Sequence, residues 1–389
     1  MVGYFPKLNS KSQKTVELLC ATARKGLVVC YFDKDLLGRK HGLGNHDGRL
    51  SMALHLRYVI MAQIGVKRWL RFHGDDNALL PDLWAYIWSG REQINSAGDL
   101  ALAVWAGVES GAIDCRVFAK KLANDWGFLR GACNAVELAW VVQGMVRFSQ
   151  CHEMTDKMID LLKDAHKQLA DLYCQGTALF ARHNRRGVTE AIRRRVVCFA
   201  DQVYPILALV NYGRDFNDSR SIDIAASVAD TICRLQGAGG QWWWHYDVRT
   251  GAVVEEYPIF AVHQDGMAPM ALLAIDELTG TDHSLCIERG LQWLSGSNEL
   301  NEAMIVPEAG VVWRDIHRRE PGKMYRLARG MMITAGLNKA HRLAGGNVFG
   351  YVVNRECRPY HLGWILYAWS GRIPKSRGQS GKKTAEAIR

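Results

Sequence analysis

Apolar residues recur along most of this chain at the three- and four-residue spacing of an α-helix, and strand-like alternation is scarce. One segment, from Trp242 to Val254, has the pattern of a β-hairpin, with Arg249-Thr250-Gly251 as its turn. The pattern predicts an all-α fold with a short hairpin or loop near residues 241–256.

Two kinds of helix alternate along the chain. One kind is nearly uncharged and follows a polar or glycine-containing lead-in; these lead-ins lie at His46, Asp99, Asn134, Asp201, His263, Tyr325 and Tyr360. The other kind is amphipathic and covers residues 115–126, 154–173, 219–235 and 284–294. An apolar helix needs cover on every side, whereas an amphipathic helix needs it on one face. The alternation therefore predicts an inner ring of buried helices inside an outer ring, with a solenoid of helix pairs as the alternative.

One part of the chain, between residues 239 and 282, resembles a known family. It reads Gly-Gly-Gln-Trp-Trp-Trp-His-Tyr-Asp to residue 247, then Thr250-Gly251, His263-Gln264-Asp265-Gly266 and finally Thr279-Gly280-Thr281-Asp282. This order is similar to a recurring unit of toroid proteins associated with bacterial polysaccharide metabolism. The resemblance implies an (α/α) toroid, as in six-hairpin glycosidases, polysaccharide lyases and terpenoid cyclases, without specifying a reaction.

Length and composition limit the class of protein. The 389 residues are 48% hydrophobic and 23% charged, which is typical of a globular chain. We expect one toroid domain over residues 1–371 and a basic, disordered tail over 372–389. The sequence has no run of about 18 apolar residues, no signal pattern and no C-x-x-C pair among its ten cysteines. We therefore expect a cytoplasmic protein with reduced thiols.

The formal charge of +10 comes partly from residues 182–195 and from the tail. Because aromatic residues do not interleave with these basic runs, we expect no nucleic-acid partner. Weak contact with an anionic surface through Arg182–Arg195 and the tail is the functional alternative to simple solvation. The expected partner is a small-molecule or oligosaccharide substrate.

The lead-ins of a toroid converge on its cavity, so they supply the candidate catalytic residues. Hydrolysis of a glycosidic bond needs two carboxyl groups. The candidate pairs are Asp247 with Asp265, or Glu137 with either of them. We assign Asp247 and Asp265 as acid and base and His263 as a second base or positioning group. Glu137 and Tyr204 complete the cavity floor. For Asp99 and Asp201, helix capping is the simpler explanation.

Residues 242–247 provide the candidate substrate contacts. Three consecutive tryptophans, Trp242, Trp243 and Trp244, cannot all enter one core, so at least one should face a cavity or rim where a sugar stacks. The alternative is that they plug the end of the toroid. His245, Tyr246, Arg314 and His361 complete the predicted binding set.

A lyase acting on a uronate would use the same residue types in other roles. His263 or His245 would be its base, Tyr204 or Tyr246 its acid, and Arg314 or Arg326 the cation for the substrate carboxylate. The presence of all these residue types leaves hydrolysis and elimination open.

Metal and cofactor motifs are incomplete in this sequence. Asp75-Asp76 lacks the third acid of an Asp-Asp-x-x-Asp motif, and Cys151-His152 lacks the glycine of a lanthionine cyclase. No phosphate loop, dinucleotide fingerprint or Gly-x-Ser-x-Gly elbow occurs, so we expect no metal and no cofactor.

We conclude from the sequence that the chain is a carbohydrate-active enzyme of the hydrolase or lyase type, acting on a glycan or glycan precursor. One alternative is a terpenoid cyclase-like enzyme that folds a polyprenyl substrate, although its Asp-x-Asp-Asp signature is absent. The other is a non-catalytic toroid that binds a glycan or a partner in polysaccharide biosynthesis.

Overall fold

The computed structural model describes residues 5–32, 41–42, 52–74, 80–184, 194–319 and 350–373. The lead-ins at His46 and Tyr325, the Asp75-Asp76 pair and Arg326 lie outside these ranges. So do residues 185–193 of the basic segment and the tail beyond residue 373. In the ranges that are described, no helix is long and apolar enough to cross a membrane.

Twelve α-helices account for most of the described chain. They are α1 (Ser10–Phe32), α2 (Met52–His73), α3 (Trp84–Ser89), α4 (Ala97–Ser110), α5 (Cys115–Leu129), α6 (Ala135–Ser149), α7 (Asp156–Ala170), α8 (Ala200–Phe216), α9 (Ser219–Arg234), α10 (Ala268–Thr279), α11 (Ser284–Leu294) and α12 (Pro359–Trp369).

Six of these helices form a closed inner ring. Helices α2, α4, α6, α8, α10 and α12 pack in this order, and α12 returns to pack against α2. Helix α5 covers α4, α7 covers α6, α9 covers α8, and α1 covers α12. The predicted (α/α) toroid is therefore confirmed.

Burial separates the two rings as the hydrophobic pattern predicts. Every residue of α4 from Ala97 to Glu109 is buried, and so is every residue of α12 from His361 to Trp369. In α7, by contrast, the buried residues form one stripe from Met158 to Leu169 at helical spacing. The inner helices thus carry the core, and the outer helices shield it.

Two glycines bring α2 and α12 into backbone contact. A Cβ atom on Gly65 would lie 1.9 Å from the carbonyl oxygen of Gly363. Only a glycine allows the two inner helices to approach so closely, and this contact closes the ring.

The sequence predicts that Pro205 and Pro269 both lie in the first turn of an inner helix, where a missing N–H is harmless, and only Pro269 lies there. Pro269 lies in the first turn of α10, directly after a π-helical turn over His263–Met267. The same prediction for Pro205 is wrong, because α8 begins at Ala200 and Pro205 falls inside the helix.

In the described ranges the strands are short and form five small antiparallel sheets. They are β1 (His41–Gly42), β2 (Tyr173–Cys174), β3 (Leu179–Phe180), β4 (Val196–Cys198), β5 (His245–Asp247), β6 (Val253–Glu255), β7 (Ile259–Phe260), β8 (Ile305–Val306), β9 (Val311–Val312), β10 (Asp315–Arg318), β11 (Tyr351–Asn354) and β12 (Glu356–Cys357). The sheet orders are β1-β12, β2-β3, β4-β5-β6, β8-β9 and β7-β10-β11.

The predicted hairpin is the pair β5–β6, whose turn contains Gly251 at φ 68°. The other sheets were not predicted. Strands of two to four residues are too short to show a two-residue period in the sequence.

Candidate active site

An ion pair joins the N-terminal ends of α2 and α4, and its arginine also contacts α6. Arg57 of α2 donates from Nε to Asp99 Oδ1 at 2.5 Å and from Nη2 to Oδ2 at 3.0 Å. Ser96 caps α4, accepting from the backbone N–H of Asp99 at 3.1 Å and donating to Asp99 Oδ2 at 2.7 Å. The guanidinium of Arg57 also lies 5.7 Å from the Trp140 ring of α6. Asp99 is thus both a cap residue and the anchor of Arg57.

Glu137 lies beside this pair with one oxygen in a capping box. Its Oε2 accepts from the backbone N–H of Asn134 at 3.0 Å, and Asn134 Oδ1 accepts from the N–H of Glu137 at 3.1 Å. A Cβ on Gly98 would lie 3.0 Å from Glu137 Cγ, so the side chain rests on α4 next to Asp99. Within the described ranges Glu137 Oε1 has no hydrogen-bond partner, and the residue is half-buried. It is a carboxyl group with an oxygen available to a ligand.

Tyr204 connects Glu137's helix to the rest of the ring. Its hydroxyl accepts from Trp364 Nε1 at 2.9 Å, and its ring meets Trp140 at 5.3 Å between centroids. Burial raises the pKa of Tyr204 well above its ordinary value, so the phenol stays protonated. Tyr204 and Glu137, both assigned to the cavity floor, are therefore linked through Trp140.

Two arginines share one carboxylate next to the N-terminal end of α12. Arg314 Nη1 and Arg358 Nη2 donate to Glu356 Oε2 at 2.7 and 3.0 Å. Burial opposes the ionisation of Glu356, but the charges of Arg314 and Arg358 outweigh it and hold its pKa below the usual value. Glu356 thus lies between two guanidinium groups, and Arg314 Nε also lies 3.8 Å from Oδ2 of the buried Asp315.

Aromatic rings flank these arginines. Arg358 Nη1 donates to the Tyr58 hydroxyl at 2.5 Å, and the Tyr58 ring lies 4.7 Å from that of Tyr360. Arg314 lies 5.5 Å from the Phe260 ring. Burial raises the pKa of Tyr360 to about 12. Arg314, predicted from the sequence as an anion-binding residue, therefore lies beside the Phe260 ring and close to the protonated phenol of Tyr360.

The three tryptophans have different surroundings. Trp242 is fully buried and packs against Phe199 at 5.8 Å. Trp243 and Trp244 are half-buried, and Trp244 stacks on His245 at 4.1 Å and meets Phe260 edge-on at 6.0 Å. Through Phe260, Trp244 borders the Arg314 corner, whereas Trp242 belongs to the core.

The hairpin residues His245 and Tyr246 make contacts within the sheet or the core. His245 Nδ1 lies 2.9 Å from Glu255 Oε2 on the paired strand β6. Tyr246 is fully buried, and burial raises its pKa far above the ordinary value. Tyr246 therefore contributes to the core, while half-buried His245 supports Trp244.

The carboxylate of Asp247 accepts hydrogen bonds from Arg195, directly before β4, and from the backbone of the hairpin turn. Arg195 Nε and Nη2 donate to Asp247 Oδ2 at 2.9 and 2.6 Å, and the backbone N–H of Arg249 donates to Oδ1 at 3.0 Å. Burial opposes the charge, but these hydrogen bonds hold the pKa of Asp247 below its usual range. No described contact joins Asp247 to Asp265, the residue with which the sequence pairs it. The contacts of Asp247 are those of an ion pair that holds the hairpin.

Asp265 and His361 form a buried pair between the π-helical turn and α12. His361 Nε2 lies 2.9 Å from both carboxylate oxygens of Asp265, which is 0% exposed. Burial raises the pKa of Asp265, and the neighbouring His361 opposes that rise. These two predicted site residues are brought together, and they link the π-helical turn to the ring.

His263 lies in an aromatic pocket beside this pair. Its ring is 4.7 Å from that of Phe199 and 5.2 Å from that of Phe260. Burial lowers the pKa of His263 to about 3, so the imidazole is neutral at pH 7. A neutral imidazole is able to accept a proton, but this ring is buried.

Several residues of this group were not among the sequence-predicted site residues. They are Arg57, Tyr58, Glu356, Arg358 and Tyr360. Arg57 had a usable signal, because it is a charged residue within the otherwise apolar run from Met52 to Ala62. The sequence gives no comparable signal for Arg358 and Glu356, because their contact with Arg314 joins segments that are 42 residues apart.

The arrangement combines an available carboxyl group, protonated phenols and three guanidinium groups that donate to carboxylates. Such a set is suited to bind an anionic, hydroxyl-rich ligand and to transfer a proton to or from it. Among the described residues, no group of three or more His, Cys, Asp or Glu side chains is arranged to hold a metal ion.

Comparison with known proteins shows a structural likeness without sequence relatives. An unsaturated glucuronyl hydrolase specific for heparin aligns over 93% of this chain and 96% of its own, with 11% identity and a TM-score of 0.56. A polysaccharide lyase aligns over 94% and 98%, with 11% identity and a TM-score of 0.57. A glycosyl hydrolase of family 88 from Bacteroides vulgatus aligns over 93% and 99%, with 10% identity and a TM-score of 0.56. No family model and no curated protein matches the sequence. At this identity, the likeness establishes the toroid fold.

Proposed function

We propose that this protein is a carbohydrate-active enzyme of the hydrolase or lyase type and that its substrate is an acidic glycan. The observation that carries the proposal is the group at the N-terminal ends of the inner helices. There, Arg57 interacts with the charge of Glu137, whose Oε1 has no partner among the described residues. Tyr204 interacts electrostatically with Arg57 and Tyr360, and Tyr360 in turn interacts with Arg314 and Arg358.

The proposed binding role belongs to the corner of Arg314 and Arg358. Glu356 accepts from both arginines, and Asp315 lies 3.8 Å from Arg314 Nε. The remaining guanidinium N–H groups would donate to a substrate carboxylate. Trp244 and Phe260 beside this corner would stack on the C–H face of a sugar. The solved structures of a glucuronyl hydrolase and a polysaccharide lyase with the same fold support a uronate-type substrate.

The proposed chemical role belongs to Glu137. In hydrolysis it would give a proton to the glycosidic oxygen or take one from water. In elimination it would remove the proton next to the substrate carboxylate while the arginines stabilise the developing charge. Asp99 would hold Arg57 in place in both cases.

The two alternatives from the sequence are less well supported. A polyprenyl substrate would lie against an apolar wall, whereas this end of the ring presents arginines and carboxylates. A binding-only toroid predicts the same acidic ligand without turnover. Contact of residues 182–195 and the tail with an anionic surface, and a cytoplasmic location, stay predictions.

Incubation of the purified chain with a substrate panel, followed by mass spectrometry, tests the proposal. The panel holds neutral, saturated uronate and unsaturated uronate oligosaccharides, with farnesyl and geranylgeranyl diphosphates as counter-substrates. Hydrolysis adds one water across the products, whereas elimination leaves a new double bond that absorbs ultraviolet light.

The matched variants are Glu137→Gln and Glu92→Gln, the second at an exposed site in a 3-10 turn. Turnover of a uronate substrate that Glu137→Gln lacks and Glu92→Gln keeps supports the proposal. Binding of uronate oligosaccharides without turnover favours the binding-only alternative. A prenyl product overturns the proposal in favour of the cyclase.

A further inference from the structure

A second cavity lies at the opposite end of the inner ring, at the C-terminal ends of the helices. It has a volume of about 140 Å³ and is lined by residues of α2, α6, α8, α10 and α12. A single water molecule needs roughly 10–15 Å³ of such space, so the cavity has room for a small molecule. Four of its lining residues are arginines, namely Arg68, Arg147, Arg214 and Arg372, against one lining carboxylate, Glu277.

Arg68 faces this cavity without a counter-charge. Its guanidinium lies 4.5 Å from the Tyr367 ring and 5.5 Å from the Phe72 ring. Across the described ranges it forms no ion pair, and its Nε is buried without a hydrogen-bond partner. An arginine packed on two aromatic rings keeps its guanidinium fixed and available for an anion.

Arg372 is the most buried of the four arginines, at 6% exposure. Its Nη1 donates to the carbonyl oxygen of Ala368 at 2.9 Å, and its Nη2 lies 3.3 Å from Glu277 Oε2. Burial and the charge of Arg68 lower the pKa of Arg372 to about 10. The sequence places this residue in a disordered tail, but here it packs under the ring.

The other two arginines have carboxylate partners of their own. Arg147 Nη2 lies 2.9 Å from Glu109 Oε1, and Arg214 Nε lies 2.7 Å from Asp215 Oδ1. Glu109 is also paired with Arg71 at 2.5 Å. Of the carboxylates described at this end, only Glu277 is left to balance both Arg68 and Arg372.

We propose that this cavity binds an oxyanion of the phosphate or sulfate type, held by Arg68 and Arg372. Guanidinium groups match the oxygens of such an anion with paired, charge-assisted hydrogen bonds. The negative end of a helix dipole attracts positive charge, which explains why some arginines lie at helix C-termini. Arg372, which donates to the carbonyl oxygen of Ala368, is one of them. The helix dipoles do not explain Arg68, which bonds to no carbonyl oxygen among the described residues. The source of the oxyanion is either a free ion or the phosphate of a sugar phosphate.

Thermal unfolding of the full chain, titrated with sodium phosphate and sodium sulfate, tests this site. Sodium chloride at the same ionic strength is the reference, because non-specific screening acts equally in all three salts. An oxyanion that binds only the folded state raises Tm in a saturable way. Calorimetric titration of the wild-type chain with phosphate gives the affinity directly and does not depend on any variant.

Arg68→Gln removes one charge-assisted donor and should weaken phosphate binding by about tenfold or more. Arg91→Gln is the matched control, because Arg91 also lies over an aromatic ring, 4.9 Å from Trp88, but is half-buried and does not line the cavity. Its phosphate affinity should equal that of the wild type. Glucose 1-phosphate distinguishes the sources: tighter binding than inorganic phosphate assigns the site to a sugar phosphate, and equal binding assigns it to the free ion.

Two results would overturn the proposal. One is a wild-type chain that phosphate and sulfate stabilise no more than chloride does, with no calorimetric binding. The other is an Arg68→Gln variant that folds and binds phosphate as tightly as the wild type.

Discussion

The two ends of the inner ring are built from the same six helices and differ in how charge is balanced. At the N-terminal ends, carboxylates take part in capping: Ser96 with Asp99, and Asn134 with Glu137. At the C-terminal ends, arginines predominate, and Glu277 is the one carboxylate that lines the cavity there. Both arrangements agree with the helix dipole, which favours negative charge at the first turn and positive charge at the last.

This comparison shows which charged residues are not explained by helix capping or by the helix dipole. Asp201 accepts from the backbone N–H of Cys198 at 2.8 Å and is explained by its helix start. Glu137 is not fully explained in this way, because its second oxygen has no described partner. Arg68 is the corresponding residue at the other end. We therefore expect each end to bind its own ligand, so that a substitution at one end should leave binding at the other unchanged.

The largest effect is expected from Glu137→Gln. Glutamine keeps an oxygen for the capping box but cannot transfer a proton, so turnover should fall by about 10²–10⁴-fold with the fold intact. Steady-state kinetics and circular dichroism measure the two effects. The phosphate-dependent rise in Tm should be unchanged, because that site lies at the opposite end. Turnover equal to that of the wild type would remove Glu137 from the chemistry.

Asp247→Asn tests the balance of charge beside the N-terminal end. Asp247 is 2% exposed and neutralises Arg195, so the variant should lose about 2–3 kcal/mol of unfolding free energy. Urea denaturation gives this value. Asp125→Asn removes an exposed partner of Lys121 and should cost less than about 1 kcal/mol.

The same variant decides between the two roles of Asp247. A structural role predicts wild-type turnover per folded molecule at low temperature. A large loss of turnover in fully folded Asp247→Asn would instead restore the acid–base role that the sequence assigns to it.

The architecture could be predicted from the sequence because it depends on local patterns. Uncharged helices such as α4 and α12 must be surrounded, and amphipathic ones such as α7 need one partner, which is sufficient to predict two rings. The hairpin at β5–β6 was predicted for the same reason. A shared cavity floor for Glu137 and Tyr204 stays a prediction, and Tyr204 contacts Trp140 on the helix that carries Glu137.

The site could not be predicted in the same way, because its contacts join distant parts of the chain. Arg57 and Asp99 are 42 residues apart, and Arg195 and Asp247 are 52 apart. The sequence shows that Asp247 is acidic and lies near aromatic residues. It does not show that Arg195, directly before the neighbouring strand β4, forms an ion pair with this carboxylate. The acid–base pairing of Asp247 with Asp265 stays a prediction.

The pH dependence of stability tests a second charge cluster at the C-terminal end of α10. His283 lies 2.5 Å from Asp276 and 3.1 Å from Asp230. Burial opposes its charge, but the two carboxylates outweigh burial and raise the pKa of His283 to about 9. This stabilisation is complete below the ordinary histidine pKa of about 6.5 and is lost as pH rises through 9.

Between pH 6.5 and 9, the wild type should therefore lose roughly 2 kcal/mol of unfolding free energy that His283→Gln does not lose. Denaturant unfolding at several pH values provides the measurement. Parallel pH profiles of the two proteins would show that His283 has the same pKa in the folded and unfolded chains.

Arg314→Gln gives the smallest effect and compares the two anion sites directly. Arg314 and Arg68 both lie over aromatic rings, at 5.5 and 4.5 Å, but at opposite ends. Loss of Arg314 leaves Arg358 to serve both Glu356 and a substrate carboxylate, so KM for a uronate substrate should rise about tenfold with a smaller change in kcat. Arg91→Gln should leave KM unchanged, and phosphate binding should be the same in all three proteins. A fall in kcat at constant KM would instead place Arg314 in the chemical step, and the N-terminal end would then have no identified binding site for the substrate carboxylate.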